Sequence, residues 1–392
     1  MAWERRPYRG SNIARALSVA DLRELARRRI PRFVFEYVDG GAEDEVTLRG
    51  NRAAFERLRL LPRTLVDTAG RHQRTQILGG PAQSPLVIAP TGFNGMLYPQ
   101  GDLVLAQAAA RHGIPFTLST LSTVRLEEVA QRAGGRLWMQ LYVMRDRAIA
   151  RDIMRRAAAS GYEALVFTTD ANVFGNREWD QRGYRSPGKP TLSMVLNTLR
   201  HPRWLADVMI RNGMPRFRNL ESFLPPGAVT ALGGSTVIPK LFDATLNWDD
   251  ISWIRQEWRG KLLIKGVLSA ADAEHAAQLG CDGIVITNHG GRQLDSCVAP
   301  VDVLPEITAA AGGRLAVLLD SGVRRGTDIA KALALGAQAV MIGRPTLYGL
   351  AAAGEAGVER ALSILTTEFD RVLGQLGCNT VADLNAQHVR PA

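Results

Sequence analysis

From residue 85 onwards, short runs of apolar residues alternate with longer stretches in which apolar residues recur every three or four positions. Eight of the short runs have the continuous Val, Ile, Leu and Phe content of strands that are buried on both faces. The stretches between them have the period of amphipathic helices, which is typical of a parallel sheet covered by helices. The predicted strands are Leu86–Ala89, Phe116–Ser119, Leu137–Leu141, Ala164–Thr168, Leu262–Lys265, Gly283–Thr287, Leu315–Leu319 and Ala339–Ile342.

Eight strands alternating with helices predict an α/β fold, a (β/α)8 TIM barrel that takes up residues 1–392 as a single domain. The alternative is an open, doubly wound sheet, which would carry a G-x-G-x-x-G turn after its first strand. The PTGFNG segment that follows Ala89 does not have that pattern. The helices predicted between the strands are Leu103–His112, Leu126–Arg132, Arg147–Ser160, Trp248–Trp258, Ala270–Leu279, Val301–Ala311 and Gly326–Leu335.

Two regions fall outside this alternation. Residues 1–84 are predicted to form an N-terminal helical cover, with helices at Ser18–Arg28, after Pro31 and at Asp44–Phe55. Residues 172–248 are predicted to form a long insertion after strand four, far longer than a loop and a helix require. Connections of this length are usually functional or mobile.

The net charge of +10 is concentrated in that insertion. The segment from Arg182 to Arg218 contains eight basic residues against one acid, Asp207, which is a net charge of +7. Basic side chains beside apolar ones favour docking on an anionic membrane surface; the alternative is that the loop folds back, buries its tryptophan and shields the site. No nucleic-acid binding is expected, because the charge is confined to one loop without interleaved aromatic and basic positions. The apolar residues of the segment are Trp204, Leu205, Val208, Met209 and Ile210.

No apolar run approaches the length of a membrane span, and the N-terminal stretch lacks the apolar core of a signal peptide. The expected compartment is therefore the cytoplasm. The cysteines, Cys281, Cys297 and Cys378, are odd in number and match no zinc or thioredoxin spacing, so no metal site is expected.

Polar residues stand where each predicted strand ends. In a parallel barrel these positions share one face, which carries the active site. Helix capping could explain a polar residue at the end of one strand, but not polar residues at the ends of all eight, which together form a ring. The ring consists of Thr91, Ser119, Thr120, Gln140, Tyr142, Thr168, Asp170, Lys265, Asn288, His289, Arg292, Asp320, Ser321, Gly322, Gly343 and Arg344.

Two parts of the ring suggest specific chemistry. After strands seven and eight, Gly322 and Gly343 let the backbone approach an anion, while Arg324 and Arg344 supply positive charge, as in barrel phosphate sites. After strand six, the NHGGRQLD segment at 288–295 combines a histidine that can exchange a proton with an arginine that can bind a carboxylate.

These motifs resemble the FMN-dependent 2-hydroxy acid dehydrogenase and oxidase family. NHGGRQLD is accompanied, in order and on the predicted strands, by PTG at Pro90, QLYV at Gln140–Val143, TTD at Thr168–Asp170, LLIKG ending at Gly266, and DSGVRRG and GRP near the end. The resemblance runs from about Val19 to about Leu376. The segments EYVDGGAEDE, LVD, PTGFNG and HPRW resemble the mandelate dehydrogenase branch most.

The resemblance implies FMN as cofactor and a role for each matching residue. It implies that His289 is the general base, oriented by Asp170, and that Arg292 and Arg177 bind the substrate carboxylate while Tyr37 and Tyr142 hydrogen-bond the substrate. Lys265 would stabilise negative charge at the flavin N1/O2 edge. The other residues expected to bind FMN are Pro90, Thr91, Gly92, Ser119, Gln140, Thr168, Thr287, Asp320, Gly322, Arg324, Gly343 and Arg344.

Elementary chemistry agrees with these roles. Electrons released at the substrate α carbon need an acceptor, which no side chain provides and a flavin does. An ionised Asp170 beside His289 is expected to raise the histidine pKa. Proton abstraction and hydride transfer both remain open, because a histidine serves either. The family pattern is broken at Asn176 and at Trp179–Tyr184, which puts the loop conformation and the substrate selectivity in doubt.

The expected function is oxidation of an L-2-hydroxy acid to the 2-keto acid, with mandelate-like substrates favoured over lactate. Electrons would pass to a membrane acceptor such as a quinone, with the protein peripheral on the inner face of the membrane and, by resemblance, a homotetramer. The same-fold alternative is an oxidase that reduces oxygen to hydrogen peroxide. A non-redox FMN barrel such as an isomerase is disfavoured, because a diphosphate substrate does not need the carboxylate-binding arginines.

Overall fold

The computed structural model describes residues 7–182, 184–186, 189–230, 233–234 and 237–392. Eight parallel strands close into a barrel in which each strand pairs with the next along the chain and the last pairs with the first. This confirms the predicted (β/α)8 fold, with strand ends that differ from the predicted ones by at most two residues. The strands are β1 Leu86–Ile88, β2 Phe116–Leu118, β3 Leu137–Leu141, β4 Ala164–Thr168, β5 Lys261–Val267, β6 Gly283–Ile286, β7 Ala316–Leu319 and β8 Ala339–Ile342.

Helices surround the barrel, and further helices precede it in the chain. Three helices precede β1, at α1 Val19–Arg29, α2 Arg32–Asp39 and α3 Val46–Glu56. The later helices are α4 Gly101–Arg111, α5 Leu126–Ala133, α6 Arg147–Ala159, α7 Glu178–Gln181, α8 Leu192–Leu199, α9 Pro202–Trp204, α10 Asp249–Glu257, α11 Ala270–Gln278, α12 Pro300–Ala311, α13 Gly326–Ala334, α14 Arg344–Ala353 and α15 Glu355–Leu376. Three antiparallel two-stranded pairs lie outside the barrel, at Leu58–Leu60 with Val389–Pro391, Thr75–Ile77 with Gly80–Ala82, and Tyr184–Ser186 with Lys189–Pro190.

Alternation along the strands divides the core into two layers. Val87, Trp138, Val166 and Leu263 belong to a small cluster with the hairpin residue Ile77, while their strand neighbours pack in a larger cluster with the helices. Successive side chains on a strand point to opposite faces, so the small cluster fills the barrel interior and the larger one joins the strands to the helices. Both faces are apolar, which is why the strands are continuous apolar runs in the sequence.

The predicted N-terminal cover is present as α1–α3. Ser18 caps α1 and forms a capping box with Asp21, as the sequence pattern indicates. The first turn of α3 is capped from far along the chain, since the carboxylate of Asp295 accepts hydrogen bonds from the backbone N–H groups of Val46 and Thr47 at 3.1 and 2.7 Å. The cover is thus joined directly to the loop that follows β6.

The insertion between β4 and α10 carries short helices and folds back on the barrel. Trp204 is buried at 3% exposure, donates from Nε1 to the carbonyl of Met96 at 2.7 Å and packs edge-on against Phe33. Val208 is buried as well. The prediction that Trp204 and Val208 belong to an exposed docking face is therefore wrong, because both complete the packing of the insertion against the body of the protein.

The basic residues of the insertion are also less free than the sequence indicated. Arg182, Arg211, Arg216 and Arg218 form ion pairs with acids that lie close to them in sequence. The exposed apolar residues of the insertion lie mainly on α8, which the sequence analysis did not single out. Of the stretch Trp179–Tyr184, Gly183 lies outside the described residues.

Candidate active site

The carboxyl ends of the barrel strands bring the predicted polar residues to one face. Gln140 at the end of β3 links its neighbours: its side-chain oxygen accepts from Ser119 Oγ at 3.2 Å, and its amide nitrogen donates to Thr168 Oγ1 at 3.2 Å. On the other side of Thr168, Lys265 is its register partner on β5. The three strand-end residues from β2, β3 and β4 therefore form one continuous buried network.

The loop after β6 has an unusual backbone. His289, Gly290 and Gly291 all have positive φ, at 58°, 67° and 73°. Glycine adopts this conformation freely, whereas a left-handed histidine costs roughly 1–2 kcal/mol and persists only where its surroundings hold it. The bonds that hold it include those from His289 N to Thr287 Oγ1 and from Gly290 N to Ser321 Oγ, both at 3.0 Å.

His289 and Asp170 form the central pair of the site. His289 Nδ1 lies 2.8 Å from Asp170 Oδ1. A carboxylate only accepts hydrogen bonds, so Nδ1 carries the proton and Nε2 of the neutral ring keeps a free lone pair. The hydroxyl of Tyr142 lies 3.5 Å from Nε2. Asp170 Oδ2 is buried and has no hydrogen-bond partner among the described residues, so this carboxylate retains acceptor capacity inside the site.

The pKa of His289 departs from the sequence-based expectation. Burial is the largest influence on it and lowers the pKa below the ordinary value of 6.5; Asp170 raises it, but by less. The expected net increase is therefore wrong in direction, because desolvation of the imidazolium outweighs the attraction of the carboxylate. Burial raises the pKa of Asp170, but attraction by His289 and Lys265 reverses this and leaves it below its ordinary value. The resting pair is a neutral imidazole beside an ionised carboxylate.

Two arginines lie beside this pair. Arg177 is 8% exposed and donates from Nε to the carbonyl of Arg292 at 3.1 Å and from Nη2 to Gln293 Oε1 at 3.0 Å. Burial, followed by repulsion from Arg292, lowers the pKa of Arg177 to about 10. Since neither arginine forms an ion pair with a carboxylate among the described residues, the two charges are available to one anionic ligand.

Tyr37 reaches this region from α2. The guanidinium of Arg292 lies 5.0 Å from the centre of the Tyr37 ring, and the Tyr37 hydroxyl approaches the carbonyl of Gly92 at 3.5 Å. Burial raises the pKa values of Tyr37 and Tyr142, so both phenols are neutral hydrogen-bond donors.

Lys265, on β5, is a buried cation near the carboxylate of Asp320, which follows β7. The Lys265 side chain is 4% exposed, and its ammonium lies 3.8 Å from Asp320 Oδ2, beyond hydrogen-bond distance. Asp320 Oδ2 accepts instead from Thr287 Oγ1 at 2.9 Å. A buried ammonium without a close partner fits the electron-rich N1/O2 edge of a flavin. FMN is therefore compatible with the residues that line the mouth.

The predicted phosphate end lies after β7 and β8. A Cβ at Gly343 would meet Thr91 Cγ2 at 3.8 Å and Ala89 Cβ at 3.9 Å, which are ordinary van der Waals distances, so the backbone here is not crowded. Arg324 is a guanidinium whose pKa is lowered by burial, and its Nη1 donates to the carbonyl of Val323 at 2.8 Å. At Gly322 a Cβ would lie 2.6 Å from the Asn51 carbonyl, so the small size of this glycine also admits the cover.

Arg344 also contacts the cover. It donates from Nε to Val38 O at 2.8 Å, from Nη1 to Gly290 O at 2.9 Å and from Nη2 to Gly40 O at 2.8 Å. The Gly40 carbonyl accepts a second bond, from Arg292 Nη1, at 2.8 Å. Each Nη atom has a further N–H, so Arg344 can still donate to a phosphate oxygen. Burial lowers its pKa to about 10.

Two residues that shape the site, Gln293 and Asn51, were not predicted from the sequence, and two others, Ser321 and Asn288, were predicted only as polar residues at strand ends. Gln293 donates to the carbonyls of Asp170 and Val173 and accepts from Arg177, so it joins the loops after β4 and β6. Ser321 holds Gly290, and Asn51 pairs with Asn288. Gln293 and Asn288 lie within NHGGRQLD and Ser321 in the strand-end ring, so a signal existed for those three; Asn51, on a cover helix, had none.

Comparison with known proteins identifies the family. A model of the FMN-dependent dehydrogenase family matches residues 26–391. This chain belongs to that family. It is 44% identical over 374 residues to (S)-mandelate dehydrogenase from Pseudomonas putida, covering 95% of this chain and 93% of the relative. It is 42% identical over 378 residues to L-lactate oxidase from a Nostoc species, covering 95% and 98% respectively.

Solved structures of the family share the complete fold. The crystal structure of the monotopic membrane protein (S)-mandelate dehydrogenase has a TM-score of 0.91 and 43% identity, with 96% of this chain and all of that chain covered. At the level of the family, the expectations of FMN as cofactor and of 2-hydroxy acid oxidation are confirmed. No helix among the described residues is long and apolar enough to cross a bilayer.

Proposed function

We propose that this FMN-dependent dehydrogenase oxidises an L-2-hydroxy acid, mandelate-like rather than lactate-like, to the corresponding 2-keto acid. The observation that carries the proposal is the His289–Asp170 pair beside the buried Arg177 and the partly buried Arg292, which form no ion pair with a described carboxylate. A base and a carboxylate-binding pair at one site fit a substrate whose hydroxyl-bearing carbon adjoins its carboxylate.

Each side chain has a distinct part in this scheme. Arg177 and Arg292 bind the carboxylate and thereby fix the α carbon near Nε2 of His289. The neutral imidazole takes a proton at Nε2, and Asp170 stabilises the resulting imidazolium through Nδ1. The phenols of Tyr142 and Tyr37 donate hydrogen bonds to the substrate. FMN, when bound, accepts the two electrons, and the ammonium of Lys265 would favour its reduced, negatively charged form.

Aromatic side chains near the pair support an aryl substrate. Phe242, from the insertion, packs edge-on against Tyr142 with ring centres 4.9 Å apart, and Phe174 lies 5.9 Å from Phe242. Phe174 is partly exposed and carries the Arg177 guanidinium 4.4 Å from its ring centre. A phenyl group bound beside Arg177 would have these rings as its wall. The 44% identical relative is named for mandelate.

The test is anaerobic bleaching of the flavin absorbance in purified holoenzyme on mixing with (S)-mandelate, L-lactate or glycolate. We expect fast bleaching with (S)-mandelate and slower bleaching with L-lactate. No bleaching with any 2-hydroxy acid would refute the proposed function, and faster bleaching with L-lactate would refute the aryl preference. Peroxide formation in air at the rate of flavin reduction would show the oxidase alternative, which the similarity to L-lactate oxidase keeps open.

We further propose that the protein docks on the inner face of an anionic membrane through α8 and passes its electrons to a membrane acceptor such as a quinone. Four apolar residues of α8 are exposed, at 63%, 40%, 49% and 59% for Leu192, Val195, Leu196 and Leu199. Their spacing places them on one helix face, as in helices that lie in a membrane interface. A structural relative, 43% identical, is described as a monotopic membrane protein.

Basic side chains near this face would add electrostatic attraction. Arg185, Lys189, Arg200 and Arg203 belong to the same insertion. Basic residues near an anionic leaflet contribute about 1 kcal/mol each. This docking face replaces the one expected from the sequence, since Trp204 and Val208 are buried.

Vesicle flotation tests the docking face. Wild type is expected to float with phosphatidylglycerol-rich vesicles at low salt, and the triple variant Leu192→Ser, Leu196→Ser, Leu199→Ser to remain unbound. The control changes Leu61, Leu65 and Val66, exposed apolar residues outside the insertion, to Ser. Equal binding by wild type and the α8 variant, or loss of binding in the control alone, would contradict this face.

The family resemblance also leads us to propose a homotetramer, which light scattering would test.

A further inference from the structure

The turn that carries His289 needs an external support. Three consecutive residues, 289–291, have positive φ, and the first of them is not glycine. The turn closes through Asn288, whose Oδ1 accepts from Gly291 N at 3.1 Å, parallel to a 3.1 Å bond from Gly291 N to the Asn288 carbonyl. The side chain of Asn288 therefore reinforces the backbone bond that closes this left-handed turn, and the orientation of its amide decides whether Gly291 N has this second acceptor.

One residue of the cover fixes that amide. Asn51 on α3 donates from Nδ2 to Asn288 Oδ1 at 2.8 Å and accepts from Asn288 Nδ2 at 2.7 Å. Asn288 Nδ2 also donates to the carbonyl of Val298 at 3.0 Å. Asn51 and Asn288 are 2% and 4% exposed, so water does not compete for these bonds. The bonds to Gly291 N and Val298 O fix which amide atom is oxygen and which is nitrogen.

We propose that Asn51 is a positioning residue for the proposed base: it holds the amide of Asn288, and through it the left-handed turn that aims the His289 ring at the substrate. This inference rests on the proposed role of His289. It assigns to the N-terminal cover a part in the reaction that is distinct from covering the barrel, although no atom of Asn51 reaches the His289 ring.

The rest of the interface does not duplicate this contact. Ala42 N donates to Gly291 O at 2.8 Å, and Asp295 caps α3, so the cover and the loop remain attached without Asn51. Those bonds go to the backbone carbonyl of Gly291 and to the Asp295 carboxylate, and neither fixes the Asn288 amide. Among the described residues, Asn51 is the one cover side chain that hydrogen-bonds the Asn288 amide. Its loss should disturb the turn and leave the cover docked.

The experiment compares Asn51→Asp, which is isosteric but places an oxygen against Asn288 Oδ1, and Asn51→Ala in FMN-loaded protein. The control is Arg57→Ala, which removes a surface ion pair between α3 and Asp302 of α12. We expect kcat for 2-hydroxy acid oxidation to fall by about 10- to 100-fold in both Asn51 variants with KM changed less than threefold, because the base and not the carboxylate site is misplaced. The control should keep wild-type kcat.

A double-mutant cycle gives the sharper test. If Asn51 acts through Asn288, Asn51→Ala should have little further effect on kcat in an Asn288→Ala background, whereas independent roles would give multiplied losses. A readout without turnover is the nitrogen NMR signal of the His289 ring, assigned by its absence in His289→Gln. It should shift in Asn51→Asp and stay in place in Arg57→Ala.

Wild-type kcat and an unshifted ring signal in a folded, FMN-loaded Asn51→Asp protein would overturn the proposal, as would multiplied losses in the cycle. The proposal would also be overturned if the fall in kcat were accounted for by loss of bound FMN and came with a lowered melting temperature, since that pattern indicates a structural role alone. Failure of the wild type to oxidise any 2-hydroxy acid would instead refute the proposed function, while the ring signal would still report on Asn51.

Discussion

His289 Nδ1 lies 2.8 Å from Asp170 Oδ1, although the two residues stand 119 positions apart in the chain. The contact joins the ends of β4 and β6, which are separated in the barrel by β5 and its Lys265. Because the carboxylate fixes the ring tautomer, Nε2 is the ring nitrogen that can accept a proton.

His289→Ala should retain the yellow colour of bound FMN and lose flavin reduction. Loss of a general base typically costs about 10²- to 10⁴-fold, and none of the bonds to the predicted FMN-binding residues uses the His289 ring. Stopped-flow absorbance with (S)-mandelate measures the rate. His275→Ala, on α11, is the control and should react normally. Reduction of the His289 variant within tenfold of wild type would rule out His289 as the base.

Arg177→Met should weaken substrate capture without loss of FMN. Removing a charge-assisted hydrogen bond to a carboxylate costs about 1.5–3 kcal/mol, which corresponds to roughly 10- to 150-fold in kcat/KM. Steady-state kinetics over a substrate series measures the change. Arg182→Met is the control, because Arg182 pairs with Glu178 at the surface. If Arg177→Met leaves both the apparent affinity and the reduction rate unchanged, the carboxylate-binding role is wrong.

The pH dependence of kcat/KM follows from the lowered pKa of His289. The neutral imidazole is the active form, so activity is present above the pKa and is lost as the pH falls through it. Burial places this pKa below the ordinary 6.5, and the acid limb should therefore have its midpoint below pH 6.5. In Asp170→Asn the midpoint should move lower still, because the carboxylate that raises the pKa is gone. A wild-type acid limb centred above pH 6.5 would contradict the first expectation, and an unchanged or higher midpoint in Asp170→Asn would contradict the second.

Trp204→Ala should destabilise the protein. The indole is buried, packs on Phe33 and donates to Met96 O, and deletion of a buried aromatic side chain costs about 3–5 kcal/mol. Thermal or urea unfolding measures the loss. Ile210→Ala is the matched control in the same segment and should unfold like wild type, since Ile210 is 72% exposed. Equal stability of the two variants would mean that Trp204 does not anchor the insertion.

The barrel was predictable because strands buried on both faces leave long apolar runs in the sequence, and their polar ends then identify the mouth. The residue types at the site followed from NHGGRQLD and its companion motifs. Contacts between residues that lie far apart in the sequence could not be predicted in this way. Nothing in the local sequence of Asn51 or Gly40 indicates that they meet Asn288, Arg292 and Arg344.

Two errors have physical causes. The insertion was assigned an exposed tryptophan because composition gives the charge and hydrophobicity of a segment but not which of its sides packs inwards. Trp204 packs inwards, and the leucines of α8 do not. The histidine pKa was assigned the wrong direction because a neighbouring carboxylate is visible in the sequence, whereas the burial that outweighs it is a property of the assembled mouth.

The carbonyl of Gly40 accepts hydrogen bonds from residues 252 and 304 positions later in the chain, and Asn51 meets its partner across 237 positions. The entropic cost of closing a loop rises with its length, so these contacts are expected to form after the local ones. During synthesis the cover leaves the ribosome before the barrel, yet the partners of Gly40 and Asn51 are not available until β6 and β8 have emerged. The part of the cover that meets the loops after β6 and β8 therefore stays exposed longest in the nascent chain, and transiently exposed apolar surface is what chaperones bind.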